Sequence, residues 1–115
     1  MSHKRRSRMA ARRVARAPVF SALGDETRLS LVAKLCGGQS YSISQLTKGS
    51  KLTRQAITKH LRVLESAGFV RSVHTGRESL FQFNREPIEE IKEYLDFVSK
   101  QWDQALARLK SFVED

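Results

Sequence analysis

The sequence predicts a mainly α-helical domain with a single β-hairpin, an α+β arrangement in one folding unit. Three observations predict it. The chain has 115 residues, room for one domain. Apolar residues recur at spacings of three and four through most of its length, the signature of helices packed on one face, and switch to alternation only over Phe69–Asn84. The breaks between these stretches fall at Gly37-Gly38, Gly49-Ser50, Gly68 and Pro87, residues that end or start helices.

The elements follow in order. A first short helix runs from about Ala15 to Leu23, with Pro18 in its first turn. Asp25 is placed as the N-cap of a second helix, in which Leu29, Val32, Ala33 and Cys36 fall at i, i+3, i+4 and i+7 and are expected inward. Cys36 is thereby expected as a small core residue. Gly37-Gly38 stops this helix. Ser42 caps a short helix over 43–48 that buries Ile43 and Leu46. After the Gly49-Ser50 turn, Thr53 caps a helix that presents Ile57, Leu61 and Leu64 inward and ends at Gly68. Phe69–Thr75 and Glu78–Asn84 read as strands around a Gly76-Arg77 turn. Pro87 opens a last helix, with Glu89 and Glu90 near its positive end and Arg108 and Lys110 near its negative end. Two helices joined by a tight turn, with a hairpin after the second, describe a winged helix-turn-helix.

Charge narrows the function. Lys and Arg number 21 against 12 Asp and Glu, a formal net charge of +9, and such a surplus points to a polyanion. It is unevenly placed. Residues 1–16 hold seven basic residues and no acid, 17–47 are neutral, 48–85 hold eight basic and two acidic residues, and 86–115 hold four basic and eight acidic. Residues 1–14 read as a disordered basic tail. That tail suits a solvated segment or a DNA or RNA arm, and its composition also fits a transit peptide. The domain proper is 15–115. No run of 18 apolar residues suggests a membrane span. One cysteine and three scattered histidines leave little for a disulfide or a zinc site. No paired carboxylates, Cys-His pair or phosphate-cradling glycine loop supports an enzyme. Neither a cofactor nor a metal is expected, and the single cysteine fits a reducing, intracellular compartment.

The helix after Gly49-Ser50 is the candidate recognition helix. With Ile57, Leu61 and Leu64 inward, its outward face carries Arg54, Gln55, Thr58, Lys59 and Arg62, side chains that suit base edges and phosphates. The plain alternative is a solvated face. The hairpin adds Arg71, His74 and, at its tip, Arg77, placed for a minor groove or a phosphate. His60 fits equally a boundary histidine and a phosphate donor. The last helix, about 88–114, carries Ile88, Ile91, Leu95, Val98, Trp102, Ala105, Leu109 and Phe112 in alternating steps of three and four, a heptad seam. A helix this long exceeds what a small domain buries in its own core. Ile91, Leu95, Val98, Trp102 and Leu109 are therefore the expected dimer interface, with purely internal packing as the alternative.

Three segments, "FSALGDETRLSLVAKL" (20–35), "LTRQAITKHLRVLESAGFV" (52–70) and "GRESLFQF" (76–83), resemble the ArsR family of bacterial winged-helix regulators. The resemblance covers roughly residues 17–85. It implies a homodimer on double-stranded operator DNA that blocks transcription, with the first and last helices at the dimer interface. It also implies DNA contacts at Arg54, Gln55, Thr58 and Lys59 and a wing at Arg77. Metal-sensing members carry a Cys-x-Cys pair where this chain has Ser42 and Ser44, and others bind zinc on the last helix, which here lacks histidine. The resemblance therefore implies a metal-independent member.

A dimeric, sequence-specific DNA-binding repressor is thus the first expectation. An RNA-binding or ribosome-associated winged-helix protein is the alternative, disfavoured by the self-association seam. A protein-interaction adaptor acting through the last helix is the third.

Overall fold

A computed structural model of the chain describes residues 17–114. The expected basic tail, and the start of the first helix at Ala15, lie outside those residues. A helix, α1, covers 17–23. It is followed by α2 (Glu26–Leu35), β1 (Tyr41–Ser42), α3 (Ile43–Thr47), α4 (Arg54–Ser66), β2 (Val70–Thr75), β3 (Glu78–Phe83) and α5 (Glu86–Glu114). The three strands form an antiparallel sheet in the order β1-β3-β2. Arg71 pairs with Gln82 and His74 with Ser79 across the hairpin, and Tyr41 pairs with Phe81 on the other side of β3.

Capping residues set the helix starts as expected. Asp25 accepts the Arg28 backbone N–H at 3.0 Å. Ser42 and Gln45 form a reciprocal capping box, and Thr53 accepts the Ala56 N–H at 3.1 Å. Each satisfies a donor that the first helical turn leaves unpaired. Pro87 lies in the first turn of α5, which begins one residue earlier, at Glu86.

The core joins α1 through Val19 and Ala22, α2 through Leu31 and Leu35, α3 through Leu46 and α4 through Ile57, Leu61 and Leu64. Phe69, Val70 and Phe81 close it from the sheet. Leu46 is buried as expected and Ile43 partly so.

Three expectations fail on α2. Leu29 is 51% exposed, and Ala33 and Cys36 are also exposed. The buried stripe is Leu31 and Leu35, with Val32 at its edge. The segment holds apolar residues in two helical phases, and the bulkier leucine pair takes the core because its area burial contributes more than Ala33 and Cys36 could. The Cys36 thiol donates to the Ala33 carbonyl at 3.1 Å. The two-residue strand β1 was not expected, because it lies against the cap of α3 and is too short for alternation to register.

The end of α4 ties three elements together. The Phe69 N–H donates to the Leu64 carbonyl at 2.9 Å and the Gly68 N–H to Glu65 at 3.0 Å, the paired bonds of a Schellman cap. It requires the left-handed Gly68, at φ +86°. The side chains of Leu64 and Phe69, which flank this cap, are both fully buried. Asn84 donates from its side chain to the Gly68 carbonyl at 3.0 Å and from its backbone to Phe69 at 2.7 Å. A Cβ on Gly68 would lie 3.4 Å from Pro87 Cγ. The last helix therefore starts against the turn that ends α4.

α5 is 29 residues long, about 43 Å at 1.5 Å per residue. Among the described residues, its beginning is what meets the core: Pro87 is buried, Ile88 and Ile91 pack on the cluster, and Tyr94 meets Phe20 edge-on at 5.4 Å. Beyond that point Leu95, Val98, Trp102, Leu106, Leu109 and Phe112 are exposed, Trp102 by 63% and Phe112 by 83%. Among the described residues, no helix is long and apolar enough to cross a membrane.

Candidate nucleic-acid interface

α3, the turn after it and α4 form the helix-turn-helix. Lys48 leaves the helical conformation, Gly49 adopts φ +79°, and Ser50 Oγ accepts the Leu52 N–H at 3.1 Å. These features aim α4 across α3. Because Ile57, Leu61 and Leu64 fix its buried side, the other face is committed to solvent. Arg54, Gln55, Lys59 and Arg62 are exposed there and Thr58 is half-buried. The structure therefore brings all five expected side chains of this helix to its outward half.

The wing stands beside them. Gly76 sits at φ +64° and no described non-glycine residue has positive φ, which fits a two-residue turn with glycine in its first position. Arg77 is exposed at this tip, and Arg71 and His74 are exposed on β2. His74 Nδ1 lies 3.2 Å from Ser79 Oγ.

Glu65 is the acid closest in sequence to the basic face of α4. Its carboxylate accepts the Ser72 hydroxyl at 2.6 Å, so it is held toward β2 and links the helix to the wing. Lys48 and Lys51, exposed at the α3–α4 turn, extend the basic surface. They were not singled out in the sequence, although their position beside the turn was a signal for them.

The structure resolves the two readings of His60 in favour of the boundary one. Its Nδ1 lies 3.2 Å from Arg28 Nη1 and 3.8 Å from Asp25 Oδ2. A guanidinium only donates, so Nδ1 accepts. Arg28 also donates from Nε to the Ala22 carbonyl at 2.6 Å. The recognition helix is thereby bonded to the corner between α1 and α2, on the side away from its basic face. This role of Arg28 was invisible in the sequence, because it depends on three elements meeting.

The helix-turn-helix, the wing and this basic face define a winged helix-turn-helix DNA-binding protein. The family model described as "Bacterial regulatory protein, arsR family" matches residues 25–72. An uncharacterised HTH-type transcriptional regulator of Bacillus subtilis, YuzN, is 38% identical, with 64% of this chain and 86% of that protein covered. The solved ArsR-like transcriptional regulator from Rhodococcus sp. RHA1 is 35% identical with a TM-score of 0.76, over 86% of this chain and 92% of that one. A winged helix-turn-helix domain from Mycobacterium bovis, described as homodimeric, shares the fold at a TM-score of 0.64 and 20% identity, over 82% and 86% of the two chains. The chain belongs to the arsR family of bacterial transcriptional regulators. That family is a class of DNA-binding regulators, not of enzymes.

Where the resemblance places the Cys-x-Cys pair of metal-sensing members, the Ser42 hydroxyl is occupied as a helix cap and Ser44 is exposed. Among the described residues, no three His, Cys, Asp or Glu side chains converge as a metal ion requires.

The Arg28 backbone N–H holds the Asp25 carboxyl below its ordinary range. Partial desolvation opposes this, and the charge of Arg28 adds to it. A carboxyl lowered in the folded state stabilises it fully above the ordinary Asp value of about 3.9, and that contribution is lost as pH falls through the lowered one. Asp25→Asn keeps a capping oxygen and removes the titration. Thermal unfolding of Asp25→Asn should therefore show a smaller loss of midpoint between about pH 5 and pH 2 than the wild-type chain. Equal losses would mean that Asp25 does not contribute to acid lability.

Proposed function

We propose that the chain is a homodimeric, sequence-specific repressor that occupies promoter DNA, without response to metals, in the bacterial cytoplasm at the nucleoid. One observation carries this reading. The outward face of α4 presents Arg54, Gln55, Lys59 and Arg62 to solvent beside a wing tipped by Arg77, while the nearby acid Glu65 is bonded to Ser72. Such a surface matches a major groove flanked by phosphates. In this reading α4 enters the groove, its N-terminal residues Arg54, Gln55 and Thr58 reach base edges, Lys59 and Arg62 meet phosphates, and Arg77 adds backbone affinity. The seven basic residues of 1–16 add charge for the flanking backbone.

The apolar side of α5 supports self-association. Leu95, Val98, Trp102 and Leu109 continue the seam that Ile91 begins, and they are exposed in the single chain. A contiguous apolar face of this kind marks an interaction surface, and its heptad spacing suits the same helix of a second copy. In this reading the chain divides into the tail 1–14 and a domain 15–115 whose last helix dimerises. In this reading repression follows from occupancy of the promoter. Metal independence is supported by the capping role of Ser42.

The function is tested on operators selected from genomic fragments. Arg54→Ala and Gln55→Ala should each weaken binding by about 1–3 kcal/mol and relax preference at one base pair per half-site. Arg77→Ala should weaken all sequences alike. Indistinguishable behaviour on single-base operator variants would refute the division of roles, and preferential binding of tRNA would refute the DNA reading.

Sedimentation should find the wild-type chain dimeric at micromolar concentration, and Trp102→Ala should dissociate it, because truncating a buried tryptophan costs about 3–5 kcal/mol. A wild-type monomer would refute the dimer.

Zinc or a chelator should leave operator affinity unchanged. A tenfold change would refute metal independence.

A further inference from the structure

One side chain on the basic face differs from its neighbours in what it can offer. Thr58 Oγ1 donates to the Arg54 carbonyl one turn earlier, at 2.7 Å. A threonine hydroxyl has a single proton, and here that proton is committed within the helix. To donate to a base, the hydroxyl would have to give up this bond and leave its rotamer. The bond also fixes the side chain about Cα–Cβ, because a β-branched residue in a helix has few staggered positions open to it. With Oγ1 held at the Arg54 carbonyl, the methyl group is confined to one of the remaining staggered positions. Arg54, Gln55 and Lys59 around it are long, exposed donors. Thr58 is the short member of the group, half-buried, and its bond to Arg54 fixes its methyl.

Among the groups that base pairs present in the major groove, the C5-methyl of thymine is the apolar one. From this geometry we propose that Thr58 is a specificity-determining residue that selects a thymine in each operator half-site through methyl–methyl contact. This deepens the DNA reading of α4 and rests on it. Arg54 and Gln55 then supply polar choice at neighbouring positions, and Thr58 supplies the apolar one. The remaining chemistry open to Thr58 is acceptance of an adenine or cytosine amino proton by the hydroxyl lone pairs. That competing mode predicts the opposite mutational pattern, because it needs the oxygen and not the methyl.

The experiment uses the full chain and an operator selected from genomic fragments. Each thymine of a half-site is replaced in turn by deoxyuridine, which removes only the 5-methyl group. For the wild-type chain, one such replacement should weaken binding by about fourfold per half-site, the worth of one buried methyl. Replacing that thymine's pair by cytosine–guanine and then methylating the cytosine at C5 should recover part of the loss. Thr58→Val keeps a methyl and loses the oxygen, and should remain sensitive to deoxyuridine. Thr58→Ser keeps the oxygen and loses the methyl, and should bind the thymine and deoxyuridine operators alike. A wild-type chain indifferent to every deoxyuridine overturns the proposal. So does a Thr58→Ser variant that stays sensitive, or a Thr58→Val variant that loses operator choice while Thr58→Ser keeps it. In each of these cases sequence-specific binding itself survives. A wild-type chain that selects no sequence overturns the DNA reading as well.

Discussion

The burial of Leu61 and Leu64 holds the rest of the molecule in place. These two leucines, with Ile57, turn one side of α4 fully into the core, and every other face of that helix acquires its duty by difference. Rotation of α4 by one residue would move about 100° of surface and bring charged side chains against Phe69 and Leu35. The cost of burying an unpaired charge is large, so the helix has one setting. The setting is closed at its end by the Schellman bonds from Gly68 and Phe69. The same leucine that anchors the helix thus accepts the bond that starts the sheet.

Electrostatics is arranged around that setting. On one flank Arg28 bonds His60 and the end of α1, and on the other Glu65 accepts from Ser72. The two contacts use the charged and titratable groups at the margins of α4 for internal bonding. The side chains left between them include the exposed Arg54, Gln55, Lys59 and Arg62. Since the flanking contacts are partly exposed, each is worth little to stability on its own. Their effect is directional: they limit how far α4 can roll toward α1 or toward the wing.

Most of the helical fold is legible in the sequence, for local reasons. Asp25, Ser42 and Thr53 are capping residues acting through their own backbone neighbours, and the spacing of Ile57, Leu61 and Leu64 admits one phase. The glycine at 76 gives the hairpin turn by the same local logic. Where two phases compete, as on α2, the sequence does not decide. Leu29 and Cys36 obeyed the helical period as well as Leu31 and Leu35 did, and only the neighbours across the core chose between them. The strand at Tyr41–Ser42 was illegible because a two-residue strand exists only through its partners on β3. The outward face of α4 was legible residue by residue, whereas the turning of His60 toward Arg28 required tertiary contact. The commitment of the Thr58 hydroxyl to Arg54 is a rotamer fact that no pattern of letters contains.

The joint at Gly68, Asn84 and Pro87 has a mechanical consequence. α5 is fastened at one end, next to the point where α4 finishes, and its remaining turns extend beyond the core. It is a lever whose fulcrum is shared with the helix beside the wing. A tilt of about 5° at that fulcrum carries the far end of a 29-residue helix through about 4 Å, a displacement comparable to the rise of one base pair. Angular stiffness at three residues therefore governs linear distance some 40 Å away. The joint that bears this lever is close-set: a Cβ on Gly68 would already stand in van der Waals contact with Pro87 Cγ, 3.4 Å away.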